Sequence, residues 1–76
     1  MDINKFVRNF EDAIDNVDEN TLSGESKFQE IAEWDSLALL STLAMLDSEY
    51  NVSLSGEEIK SCSTLQQLFD LTISKK

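Results

Sequence analysis

The chain has 76 residues, six Lys or Arg against fifteen Asp or Glu, and a formal net charge of −9. That length makes one domain, spanning 1–76, with a small core, and the single cysteine, Cys62, excludes an internal disulfide. The acid excess argues against nucleic acid and anionic membranes as partners, since both are bound through clustered cations, and an apolar share of 41% is too high for an acidic disordered tail.

Ile3, Phe6, Val7, Phe10 and Ile14 recur at helical spacing and predict a first helix over 3–16, with Asp2 as its N-cap. Residues 17–35 lose that period and gather Asp, Asn, Ser and Gly24, which reads as a long loop pinned by Val17, Leu22, Phe28 and Ile31. Leu37, Leu39, Leu40, Leu43, Leu46 and Tyr50 trace the apolar stripe of the strongest helix, capped by Asp35. Ser55-Gly56-Glu57-Glu58 fits a capping box that opens a short helix near 56–61. Ser63-Thr64-Leu65-Gln66 repeats the device and opens a last helix near 64–73, with Leu65, Leu68, Phe69 and Ile73 inward. With no Pro and no hairpin dipeptide, the fold class is all-α: a small bundle of three main helices plus one short one, with a long loop between the first two. No apolar run approaches the length of a membrane span, and Asp2 beside Met1 does not suit a signal peptide. The expectation is a cytoplasmic monomer.

Little of the chain suits catalysis. There is no His, so Cys62 has no imidazole to activate it and reads as a small apolar residue at a helix junction. Asp15-Asn16-Val17-Asp18 invites a calcium-loop test. Counted from Asp15, the sixth position is Asn20 where Gly is required and the twelfth Ser26 where Glu is required, so an EF-hand is rejected and no metal is expected. Asp35-Ser36-Leu37 stands where the polar loop meets the strongest helix. With Asp35 as cap, Ser36 falls in the first turn, where a phosphate ester would meet unpaired amides and the positive end of the helix dipole. As a bare tripeptide it reads better as a helix cap with nothing attached.

Over essentially its whole length the chain resembles the acyl carrier protein family. The resemblance rests on Phe28, Asp35-Ser36-Leu37, the Leu-rich helix running to Tyr50-Asn51-Val52, Ser55-Gly56-Glu57-Glu58-Ile59 and Thr64-Leu65-Gln66-Gln67-Leu68, in the family's order and spacing. It implies that Ser36, flanked by Asp35 and Leu37, is esterified with 4′-phosphopantetheine from coenzyme A by a phosphopantetheinyl transferase. The arm's thiol would carry acyl groups as thioesters among the enzymes of fatty acid or specialised acyl biosynthesis, and the chain would not itself be an enzyme. A long acyl chain would gain by sliding between helices, near Leu39, Leu43, Leu46, Ile59 and Leu68.

Family members usually dock through acids on the helix that begins at the modified serine, and here the sequence departs. The early outward positions of that helix read as Ala38, Ser41 and Thr42, and its acids are only Asp47 and Glu49. Seven of the nine net negative charges precede Ser36. The docking surface is therefore expected to join Leu37, Ala38 and Met45 to acids at Glu30, Glu33 and Asp35, with Ser41 and Asp47 alongside, facing basic or mixed enzyme surfaces. Trp34 replaces the small residue common in the family and reads either as a loop anchor or as a partner contact. Two other readings stay open: an aminoacyl or polyketide cargo, and an unmodified helical adaptor.

Overall fold

Asp2 stops the chain in an extended conformation and accepts the Asn4 amide at 2.9 Å, so a helix starts at the next residue. The computed structural model describes residues 2–14 and 22–76, and in them lie four α-helices. These are α1 (Ile3–Ala13), α2 (Ser36–Tyr50), α3 (Gly56–Lys60) and α4 (Leu65–Lys75), with a 3-10 turn at Phe28–Glu30. The all-α bundle of three main helices and one short one is thus the observed fold. Val17 and the Asp15–Asp18 cluster fall outside the described residues.

Helix α1 ends earlier than its apolar period suggests. Ile14 leaves it in an extended conformation (φ −107°, ψ 128°), which a β-branched residue adopts readily, and stays buried. Phe6, Val7 and Phe10 face the core, and α1 packs against both α2 and α4. Phe6 makes ring contacts with Tyr50 of α2 and Phe69 of α4, at centroid distances of 5.5 and 5.2 Å. One cluster of buried side chains draws from every element, with Phe6, Phe10, Phe28, Leu46, Ile59, Leu65 and Leu68 at its centre.

Helix α2 is apolar on nearly every side, so burial rather than periodicity chooses its inner face. Ala38, Thr42, Met45, Leu46 and Tyr50 turn inward, Leu39 and Leu43 are half-buried, and Leu40 faces solvent. The expected stripe through Leu37 and Leu40 is therefore rotated toward Ala38 and Thr42. Thr42 is accommodated because its hydroxyl donates to the Ala38 carbonyl at 2.8 Å. The helix closes at Asn51, in the left-handed region (φ 54°), whose amide donates to the Asp47 carbonyl.

The Ser55–Glu58 capping box forms as expected: each side chain accepts the other residue's amide, at 3.1 and 3.0 Å. At α4 the device moves on by one residue. Thr64 is the cap and accepts the Gln67 amide, while the Gln67 side chain accepts the Ser63 amide at 2.6 Å. In that register Ile73 is 37% exposed, and Thr72 takes the inward place with its hydroxyl on the Leu68 carbonyl.

The described part of the long loop, 22–35, is tied to the bundle by polar contacts. Carbonyls of Gly24 and Ser26 accept the first amides of α4, from Gln66 at 2.8 Å and Leu65 at 3.1 Å. Beyond the 3-10 turn's Phe28, the Gln29 side-chain amide reaches the carbonyls at the end of α3: Cys62 at 2.6 Å, Lys60 at 3.0 Å and Ile59 at 3.4 Å. The Lys60 and Cys62 carbonyls are of the kind a helix end leaves without a backbone donor, while that of Ile59 also accepts the Cys62 amide at 3.0 Å. Glu11, buried on α1, accepts the Leu22 amide at 2.8 Å.

Candidate functional site

Asp35 enters α2 with an extended backbone, and its Oδ1 accepts the Ala38 amide at 2.8 Å. Its carbonyl accepts the Leu39 amide. The two amides between cap and first bond, those of Ser36 and Leu37, point out of the helix mouth without an intrahelical acceptor. Ser36 is the first helical residue and is exposed, and its hydroxyl has no hydrogen-bond partner among the described residues. The cap thus presents a free hydroxyl beside two unpaired donors and the positive end of a 15-residue helix.

A groove of about 340 Å³ adjoins this mouth, with Ile14, Ala32, Leu37 and Ala38 giving apolar walls and Glu33, Asp35 and Ser41 polar ones. The aromatic support lies on the loop side. Trp34, half-buried, stacks on Phe10 at 6.1 Å with the rings 18° apart, and meets Phe28 edge-on at 5.1 Å. Phe28 in turn packs edge-on against Phe10 at 5.6 Å. Trp34 therefore anchors the loop two residues before Ser36.

The expected docking residues divide by exposure. Leu37 is 63% exposed, as are Glu30 and Asp47 in large part, while Glu33 and Ser41 are half-buried. Ala38 and Met45 do not reach the surface: at 4% and 8% exposure they belong to the core, because α2 turns them toward α1. Thr42, read as outward, is fully buried. Leu40 takes the outward place instead, at 61% exposure, one turn beyond Leu37. Periodicity did not find it, since a helix apolar all round leaves its outer face unmarked.

Of the residues expected around an acyl chain, Leu46, Ile59 and Leu68 are fully buried and Leu39 and Leu43 half-buried. Leu39 lies against the start of α3, its Cδ2 3.5 Å from where a side chain on Gly56 would begin.

The remaining reactive groups are few. Burial pushes the Cys62 thiol above its ordinary value, the nearby Glu58 charge adding to the effect, so it stays protonated at neutral pH. Its Sγ donates to the Glu58 carbonyl at 3.6 Å. Among the described residues no three Cys, Asp or Glu side chains are placed to hold a metal ion, and no helix is long and apolar enough to cross a membrane. Comparison with known proteins finds no family model, no curated protein and no solved structure that matches the chain.

Proposed function

We propose that this chain is an acyl carrier protein in which Ser36 bears a 4′-phosphopantetheine arm, and that acyl groups pass on it between partner enzymes in the cytoplasm. The observation that carries the reading is the free Ser36 hydroxyl at the mouth of α2, exposed and capped from behind by Asp35. When bound, the arm supplies a terminal thiol on which acyl groups ride as thioesters.

The chain's own residues fit such a group. A phosphodiester on Ser36 Oγ would stand against the unpaired Ser36 and Leu37 amides, which stabilise negative charge. Ile14, Ala32 and Leu37 in the adjoining groove offer apolar contact to the first part of the arm. Asp35 acts as a positioning residue, holding the first turn through the Ala38 amide. Shelter for an acyl chain would lie between α2 and α3, where Leu39 and Leu43 would part from the α3 side and expose Leu46, Ile59 and Leu68. Glu30, Glu33, Asp47, Leu37 and Ser41, with the edge of Trp34, are the proposed contacts for a phosphopantetheinyl transferase and the enzymes that load and unload the carrier.

The test is intact mass after incubation with coenzyme A and a broad-specificity phosphopantetheinyl transferase, for wild type and Ser36→Ala. The expected result is one phosphopantetheinyl increment on wild type and none on the variant. No gain on wild type would overturn the carrier reading in favour of an unmodified adaptor. A gain that survives Ser36→Ala would overturn the site. The mass of the species trapped in the native host then separates fatty acyl from aminoacyl or polyketide cargo.

A further inference from the structure

Helix α3 is held differently at its two ends. At the Cys62 end the ties are polar and come from the loop. The Gln29 side-chain amide donates to the Cys62 and Lys60 carbonyls at 2.6 and 3.0 Å. Just beyond, the Ser26 and Gly24 carbonyls accept the Leu65 and Gln66 amides. At the Gly56 end the hydrogen bonds of the Ser55–Glu58 box stay within the helix. What joins that end to the bundle is apolar: Leu54 is buried, and a Cβ on Gly56 would stand 3.5 Å from Leu39 Cδ2. Between the two ends, the Lys75–Glu58 pair is partly exposed and adds little.

The two kinds of tie respond differently to an alkyl chain. Apolar contacts can be exchanged for contacts with the chain at small cost, since both keep water away from carbon. The Gln29 clasp cannot be exchanged in that way. An alkyl chain has no donor, so prising the clasp open leaves the Lys60 and Cys62 carbonyls without one. Ser36, Leu39 and Leu43 follow at spacings of three and four, which puts them on one side of α2, the side on which Gly56 meets Leu39. A chain led in from Ser36 therefore meets the yielding end of α3 first and the clasped end last.

We infer that α3 is a flap that lifts at Gly56 and pivots at the Gln29 clasp, so that Gln29 sets the length of acyl chain the carrier shelters. The pivot rests on the fold alone, and the cargo rests on the carrier reading. Ile59 is fully buried just ahead of the clasped carbonyls. A chain that reaches it stops there, and every further methylene stays in water. Gln29 thus selects cargo through α3, without touching the arm.

The pivot is tested on the unmodified chain by amide hydrogen exchange. In wild type, Glu58 and Ile59 are expected to exchange about tenfold faster than Ser61 and Cys62, and Gln29→Ala to abolish the difference. Equal rates in wild type, or a difference that survives Gln29→Ala, would overturn the pivot whatever becomes of the carrier reading. The cargo half uses chains loaded by the transferase with straight saturated acyl groups of about 4 to 16 carbons, attachment being checked by intact mass. No attachment would overturn the carrier reading, and the cargo half with it. With attachment, the melting temperature of wild type, relative to the arm without an acyl group, should rise by a few degrees with chain length and then level off. The levelling should come at longer chains in Gln29→Ala. It should stay at the wild-type length in Asp2→Ala, which loses a helix cap away from α3. Gly56→Leu, which sets a side chain against Leu39 at the entrance, should show no rise. No rise in wild type, the same levelling point in Gln29→Ala, an equal shift in Asp2→Ala or a rise in Gly56→Leu would each overturn the role given to Gln29.

Discussion

At Asp35 one carboxylate oxygen of an exposed side chain caps the helix, Oδ1 accepting the Ala38 amide at 2.8 Å. Asparagine offers an oxygen in the same place. Asp35→Asn is expected to leave urea-unfolding stability nearly unchanged, while Asp35→Ala costs about 1 kcal/mol. A similar contrast holds at the far end of α2. Asn51 is the one non-glycine residue with positive φ among the described residues, so its backbone rather than its side chain is under selection by the fold. Glycine relieves that backbone and alanine does not: thermal denaturation should show Asn51→Gly at or above wild type, and Asn51→Ala about 1 kcal/mol below it.

Among the elements, the short α3 depends most on its neighbours. Five residues are too few to hold a helix in isolation, so its ends are fixed from outside: by the capping box, by Gln29 on its last carbonyls and by Lys75 of α4, 2.9 Å from Glu58. Gln29→Ala would leave those carbonyls without their donor, and amide hydrogen exchange in α3 should speed up, with a stability loss of about 1–2 kcal/mol. Gln29→Glu should be worse near neutral pH, because a carboxylate only accepts. Glu58 supplies a pH dependence. The Ser55 backbone amide and, next, the Lys75 ammonium hold its carboxyl below the ordinary value. A depressed folded-state pKa means a contribution fully present above the ordinary carboxylate range and lost as pH falls through the folded value. The melting-temperature gap between wild type and Glu58→Gln should therefore narrow on acidification. These elements also show what a sequence carries. The caps at Asp2, Asp35 and Ser55 are local chemistry and were legible, as was the exposure of Ser36, which follows from its place after a cap. The inward face of α2 was not, because the leucines cover half of the helix and Ala38 and Met45 lie on the other half, so no single stripe is marked and Ala38 and Thr42 face inward only through tertiary packing. Gln29 and Glu11 carry no local signal, since their partners lie 30 or more and 11 residues away.

For the molecule as a whole, −9 on 76 residues is a standing self-repulsion, and the described ion pair between Lys75 and Glu58 offsets little of it. Raising sodium chloride from about 0.01 to 0.3 M should therefore raise the melting temperature by a few degrees, as screening shortens the reach of the field. The same salt should slow association with any basic partner, so stability and docking are expected to move in opposite directions along one titration. The stacking of Trp34 on Phe10 has a further consequence. It is the chain's only tryptophan, and its ring joins the loop to α1 two residues from Ser36. Intrinsic fluorescence excited at the red edge therefore reports a single location, without a label. Any event that lifts the loop from α1, whether binding of a partner or the first step of unfolding, is written in that one emission spectrum.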